Sequence, residues 1–227
     1  VLFRSRVTGD VLAQDKFFLA AVDQIMVECF GGNDSATNNT AKPSSMYGGK
    51  GADTLKGGSG PDILYAVDSF NQYDDTATGD TLLGNGGDDE LYGSFSDDTL
   101  RGGDGKDKIY AGRGADDIKG GAGDDYVEAG IGNDHVEGGA GDDYILAGEG
   151  NDEVKGGDGN DILYGEDGND ILDAEAGNDK LYGGKGDDIL TGGDNIDYLV
   201  GGEGWDYMDG GKSPNDEIIF DIWDDVD

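Results

Sequence analysis

The stretch GGAGDDYVEAGIGNDHVE, residues 120–137, carries nearly the same nine residues twice. Gly121, Gly123, Asp125 and Val127 return as Gly130, Gly132, Asp134 and Val136. Between one Gly-rich, acid-ended turn and the next only three residues remain. That is room for a short strand whose middle residue points to one face and whose outer two point to the other.

Working outward, residues 84–209 divide without a gap into 14 nonapeptides. Position six is Asp in each: Asp89, Asp98, Asp107, Asp116, Asp125, Asp134, Asp143, Asp152, Asp161, Asp170, Asp179, Asp188, Asp197 and Asp206. Position eight is apolar in each, from Leu91 to Met208. Upstream, GGKGADTLK at 48–56 and GGSGPDILY at 57–65 add Asp53 and Asp62. Residues 66–74, AVDSFNQYD, interrupt the array and read as a surface loop between turns of one solenoid; a degenerate unit, DTATGDTLL, then leads into Gly84.

Composition points the same way. The 227 residues include 45 Gly, and 51 acidic side chains stand against 15 basic ones, for a net charge of −36. Such a charge repels itself and opposes compaction unless counter-ions enter the structure. The acids are spaced regularly instead of lying in blocks, which argues against a simple acidic tail. Nucleic acid is excluded as a partner, and cations are favoured. Cys29 is the only cysteine, so no internal disulfide forms, and it reads as a free buried thiol. No apolar run reaches the ~18 residues of a membrane span, and neither an initiator Met nor a secretory signal peptide opens the sequence. The opening VLFRS matches a translated sequencing-adapter end, so residues 1–5 are expected to be an assembly artefact.

The pattern GGxGxDxUx, with U apolar, resembles the RTX (repeats-in-toxin, or hemolysin-type) calcium-binding nonapeptide. Its residue types suit that ion. Glycines at positions one, two and four, those at two and four being Gly103 and Gly105, Gly112 and Gly114, Gly121 and Gly123, Gly130 and Gly132, Gly139 and Gly141, Gly148 and Gly150, Gly157 and Gly159, permit positive φ and let carbonyl oxygens turn toward a common point. Asp at position six adds a hard anionic oxygen, and calcium takes about six to eight oxygen ligands in adaptable geometry. Transition metals favour His or Cys, of which the chain has one each.

Two nonapeptides make one 18-residue turn, with a strand on each of two sheets and a Gly-rich turn on each edge. The expected fold is therefore all-β, a right-handed parallel β-roll with irregular N- and C-terminal caps. By analogy with the family, each ion lies between successive turns on one edge, held by turn carbonyls and by Asp carboxylates of repeats n and n+2. The main array then takes about 12 calcium ions, roughly +24 of charge against the acids. Ser94 and Ser96 in place of glycines, Asn195 and Ile196, and Glu166 and Glu175 at position two mark turns expected to be strained, empty or differently liganded.

Residues 1–47 read as an N-terminal cap or the remnant of an upstream region, 48–209 as the roll, and 210–227 as a C-terminal cap offering Ile219, Phe220 and Trp223. In KFFLAAVDQIMVECF, Phe18, Val22, Ile25 and Cys29 fall at helical spacing, which reads first as a short amphipathic helix covering the open end of the array and second as two strands, FFLAAV and IMVECF. The polar stretch at 32–45 reads as a loop with glycosylation sequons at Asn33 and Asn38.

Sorting outward residues by alternate repeats separates two faces. One holds Tyr92, Tyr110, Tyr126, Tyr144, Leu146, Ile162, Tyr164, Tyr182, Tyr198 and Val200; either tyrosine simply suits exposed strands there, or the face docks the N-terminal segment, an upstream domain, a second copy or a glycan. The other holds Arg101, Asp117, Lys119, His135, Glu137, Glu153, Lys155, Asp173 and Asp209 and reads as solvated.

Catalytic signatures such as G-x-S-x-G, H-E-x-x-H and the P-loop are missing from the sequence. Acid pairs such as Asp142-Asp143 recur in the repeat frame, which favours ion ligation over glycosidase chemistry. The expectation is a non-enzymatic, calcium-triggered folding module of a secreted, extracellular protein. Any activity would lie in a missing upstream toxin, hydrolase or adhesin domain. A structural spacer in a surface-layer or adhesin protein is the alternative. The resemblance also implies type I export, whose signal normally follows the repeats. Only 18 residues follow Asp209, so either the C-terminus is truncated or export differs.

Overall fold

The computed structural model describes residues 24–29, 32–67 and 79–219. Among these residues every regular element is a strand. The strands form two parallel sheets, one of eleven and one of ten, and the chain alternates between them strand by strand. Val127 lies between Ile109 and Ile145 in one sheet, and Ile118 between Leu100 and Val136 in the other. This is the two-sheet solenoid with about 18 residues per turn, climbing about ten turns.

The inward residues explain why the chain stacks. Leu91, Leu100, Ile109, Ile118, Val127, Val136, Ile145, Val154, Leu163, Leu172, Leu181, Leu190 and Leu199 are wholly buried between the sheets, each in register with its neighbours. Burying one such side chain contributes about 1.5–3 kcal/mol, and each turn supplies two.

In most of the main array the strands run to six residues, as in Tyr126–Ile131 and His135–Ala140, twice the expected length. Position one also points inward, and its small residue, Ala129 or Gly120, keeps the backbone in the ladder through position three.

The solenoid also begins before the first GGxGxD copy. Three strands precede it: β1 (Ile25–Glu28), β2 (Ser35–Thr37) and β3 (Ser44–Tyr47). β1 pairs with β3, and β2 pairs with Thr54–Lys56. Residues 32–45, expected as a loop, thus hold one strand and the start of another. Their polar composition hid the single inward residue that each strand of this fold requires, Ala36 and Met46, both buried. Where a helix is the first reading and strands the second, residues 25–28 form a strand. Phe18, Val22 and residues 1–5 lie outside the described residues.

The insertion leaves the ladder intact, for Thr54 faces Thr81 and Ile63 faces Glu90, 27 residues on. Ala66 and Val67 are buried, and residues 68–74 lie outside the described set. At the other end Glu217–Ile219 pairs with Tyr198–Glu203, and Ile218 packs on the core. Phe220 and Trp223 lie outside the described residues.

The faces sort as expected, with two additions. On the eleven-stranded sheet Tyr47, Tyr65, Tyr92, Tyr110, Tyr126, Tyr144, Tyr164, Tyr182 and Tyr198 form one continuous stack, centroids 4.7–6.0 Å apart. It runs along the position-nine column to Tyr110. It then steps to position seven at Tyr126 and Tyr144, where position nine is Glu128 and Leu146. Where the rings stack in parallel, their faces cover one another. The ten-stranded face carries ion pairs, Arg101 with Asp117 and Lys119 with Glu137, and His135 beside Glu137 and Glu153. Toward its C-terminal end this face also carries an apolar strip, Ile171, Ile189 and Tyr207, paired in register and exposed beside Asp173, Thr191 and Asp209.

Candidate metal centre

Each edge of the solenoid carries a column of aspartates that the turn geometry forces together. The backbone N–H of Asp107 donates to Oδ1 of Asp125, that of Asp125 to Asp143, and that of Asp143 to Asp161, each at 2.8 Å. On the opposite edge Asp98 donates to Asp116, Asp116 to Asp134, Asp134 to Asp152 and Asp152 to Asp170, at 2.7–2.9 Å. The columns continue through Asp53, Asp62, Asp89, Asp179, Asp188, Asp197 and Asp206. All the predicted aspartates therefore lie in one of two edge ladders. Their separation by 18 residues in sequence becomes adjacency in space.

One oxygen of each carboxylate is thus used, and the other is not. In Asp89, Asp107, Asp116, Asp125, Asp134, Asp143, Asp152, Asp161, Asp170, Asp179, Asp188 and Asp197, Oδ2 is buried without a protein hydrogen-bond donor. A buried carboxylate oxygen with no partner is strongly unfavourable, so a repeated row of them calls for a cation. Burial is also the main reason these carboxyls are pushed far above the usual range. It takes Asp89, Asp116 and Asp143 to about 8, Asp125, Asp179 and Asp188 to about 7, and Asp107, Asp134, Asp161 and Asp170 to about 6. The donated N–H pulls each down, and for most of them a neighbouring Asp in the ladder pushes it further up.

Carbonyl oxygens complete the donor set. A Cβ built on Gly120 would lie 2.5 Å from Oδ2 of Asp125 and 2.6 Å from the carbonyl oxygen of Gly138, so two acceptors converge on the space that glycine leaves. The same pair recurs at Gly102, Gly138, Gly165 and Gly183. At positions two and four the backbone is left-handed, with φ of +125° at Gly121 and +131° at Gly123. A Cβ there would lie 2.1 and 1.8 Å from the carbonyl oxygens of Gly103 and Gly105 in the turn below. Gly112, Gly114, Gly130, Gly132, Gly139, Gly141, Gly148, Gly150, Gly157 and Gly159 repeat this arrangement. Among the described residues no three Asp, Glu, His or Cys side chains converge on one point. The oxygens facing each gap are therefore carboxylates together with carbonyls. That all-oxygen set suits a hard cation such as calcium.

Sequence reasoning passed over Asp34, Asp80 and Asp216. Asp34 donates to Oδ1 of Asp53, Asp80 accepts from Asp53, and Asp216 accepts from Asp197. The signal was present, for an inward apolar residue follows two positions later in each case: Ala36, Leu82 and Ile218. Irregular glycines around them masked it. Left-handed backbone persists where glycine is lost, at Asn85, Glu166, Glu175 and Asn195, with φ of 71–83°. Cys29 is free and buried, and burial, with Asp34 and Asp53 adding to it, pushes its thiol up to about 12.

None of the curated proteins compared with the chain matches it. A family model does, that of the RTX calcium-binding nonapeptide repeat in four copies. It matches residues 45–66 and then a series of overlapping windows that runs without a break from 74 to 213. The glycine cradles, paired aspartate ladders and inward apolar file give that match its structural counterpart, and this chain belongs to the RTX calcium-binding nonapeptide repeat family.

Proposed function

We propose that the chain acts as a calcium-triggered folding and stabilising module of a secreted, extracellular protein, supplying structure to an attached activity instead of catalysis of its own. The row of buried Oδ2 atoms without donors carries this reading. Without cations those atoms oppose folding, and the net charge of −36 opposes it further. In a low-calcium interior the chain stays extended. At millimolar calcium, binding free energy becomes folding free energy. About 12 ions, one on each edge at every gap between successive turns of the main array, would neutralise most of the acidic excess.

Far-UV circular dichroism during a calcium titration from chelator to about 10 mM, with magnesium as control, tests the proposal. A cooperative coil-to-β transition specific to calcium is expected. A spectrum already β-rich in chelator and unmoved by calcium rejects the trigger and leaves a structural spacer.

A further inference from the structure

The turns ending at Asp62 and Asp98 are built differently from the others. Position two is left-handed in the next turn along the same edge, at Asn85 beyond the turn of Asp62 and at Gly112 beyond the turn of Asp98. In the turn of Asp62 neither Gly58 nor Gly60 lies in that region, and in the turn of Asp98 neither Ser94 nor Ser96 does.

The changed backbone aims position two at the carboxylate. Gly58 N–H donates to Oδ2 of Asp62 at 2.6 Å. Ser94 N–H donates to Oδ2 of Asp98 at 2.7 Å, and its hydroxyl adds a second bond at 3.0 Å. Oδ1 of Asp62 is filled as well, by the N–H and hydroxyl of Ser44, both at 2.6 Å, and by Nδ2 of the buried Asn38 at 3.2 Å. Ser44 stands where the ladder elsewhere has Asp.

Both departures have local causes. Pro61 at position five drives Gly60 toward extended backbone and removes an N–H from the turn. Serine at positions two and four disfavours the left-handed conformation that glycine permits.

We infer that the turns of Asp62 and Asp98 close on protein donors and take no cation, leaving one metal-free turn on each edge near the N-terminal end of the array. The inference rests on the calcium-loaded reading of the other turns. An ion at Oδ2 of Asp98 has to displace an N–H and a hydroxyl, whereas at Oδ2 of Asp125 it displaces no protein donor.

Equilibrium dialysis of the full chain, counting bound calcium at saturation, tests it with two variants that restore the motif. Ser94→Gly/Ser96→Gly is expected to bind one ion more than the parent, and so is Pro61→Ala. A parent that binds calcium with no gain in either variant overturns the metal-free turns alone. A parent and variants that all bind none overturn the calcium reading and this inference together. Anomalous scattering from crystals grown in calcium gives a second readout that needs no variant. Peaks are expected beside Asp125 and Asp143 and none beside Asp62 and Asp98, and a peak at either of the latter refutes the inference.

Discussion

The backbone N–H of Asp125 donates to Oδ1 of Asp143 at 2.8 Å, while Oδ2 of Asp143 lies buried without a donor. One carboxylate thus ties two turns together with one oxygen and leaves the other for an ion. Asp143→Asn keeps the first function and reverses the second, because it puts a donor or a neutral acceptor where a charged acceptor stood. In calcium the variant should fold at a midpoint raised roughly tenfold, since ligand charge sets affinity. In chelator it should be no less stable than the parent. Parallel titrations followed by circular dichroism check both, and equal midpoints would remove Asp143 from the ligand set.

Acid should substitute in part for calcium. The buried aspartates have folded-state values of about 6 to 8, above the ~3.9 of an unfolded Asp, so the ion-free fold holds protons more tightly than the open chain does. The stabilisation is complete below about pH 4 and is lost as pH rises through about 6 to 8. In chelator, β content is expected to rise on acidification to pH 4 and to fall on return to pH 8. A chelated chain equally unfolded at both would show that these carboxyls are not buried without their ions.

Left-handed positions divide the turns by residue. Glu166 and Glu175 hold φ of +76° and +71°, which carries a penalty of about 1–2 kcal/mol for a residue with a β-carbon. Glu166→Gly should therefore stabilise the calcium-loaded chain by about 0.5–1 kcal/mol after the entropy of glycine is allowed for. Gly123→Ala should do the opposite by about 3 kcal/mol, because its Cβ meets the Gly105 carbonyl at 1.8 Å. Denaturant melts at fixed calcium measure both signs.

The tyrosine stack gives cohesion that owes nothing to ions. Tyr65 has parallel neighbours on both sides, Tyr47 and Tyr92, each at 4.7 Å. Such contacts contribute about 0.5–1.5 kcal/mol apiece beyond burial, so Tyr65→Ser should destabilise by about 1–3 kcal/mol in calcium. An unchanged melting profile would leave the stack without a structural role.

Much of this was legible because the repeat writes its geometry directly. Asp at position six and an apolar residue at position eight fix the two sheets, the edges and the inward file. The assignment of Tyr92 through Tyr198 to one face followed from counting alone. What escaped depended on contacts between turns. Ala36 and Met46 are single inward residues in polar surroundings. Pro61 occupies the variable fifth position of GGSGPD, where the motif sets no residue type, yet it changes the turn. The step of the ring stack from Tyr110 to Tyr126 crosses columns, so no single position in the repeat announces it. Ile171, Ile189 and Tyr207 fall on the charged face one turn apart, and only their register makes them a strip.

The in-register parallel ladder also has a mechanical consequence. Its backbone hydrogen bonds run along the solenoid axis, so tension between Ile25 and Ile219 peels turns from an end one after another instead of shearing all of them at once. Each 18-residue turn that comes away lengthens the chain by roughly 60 Å, from an extended reach of about 3.4 Å per residue. Under load the array is a ratcheted reel, paying out in equal steps and winding back one coil at a time.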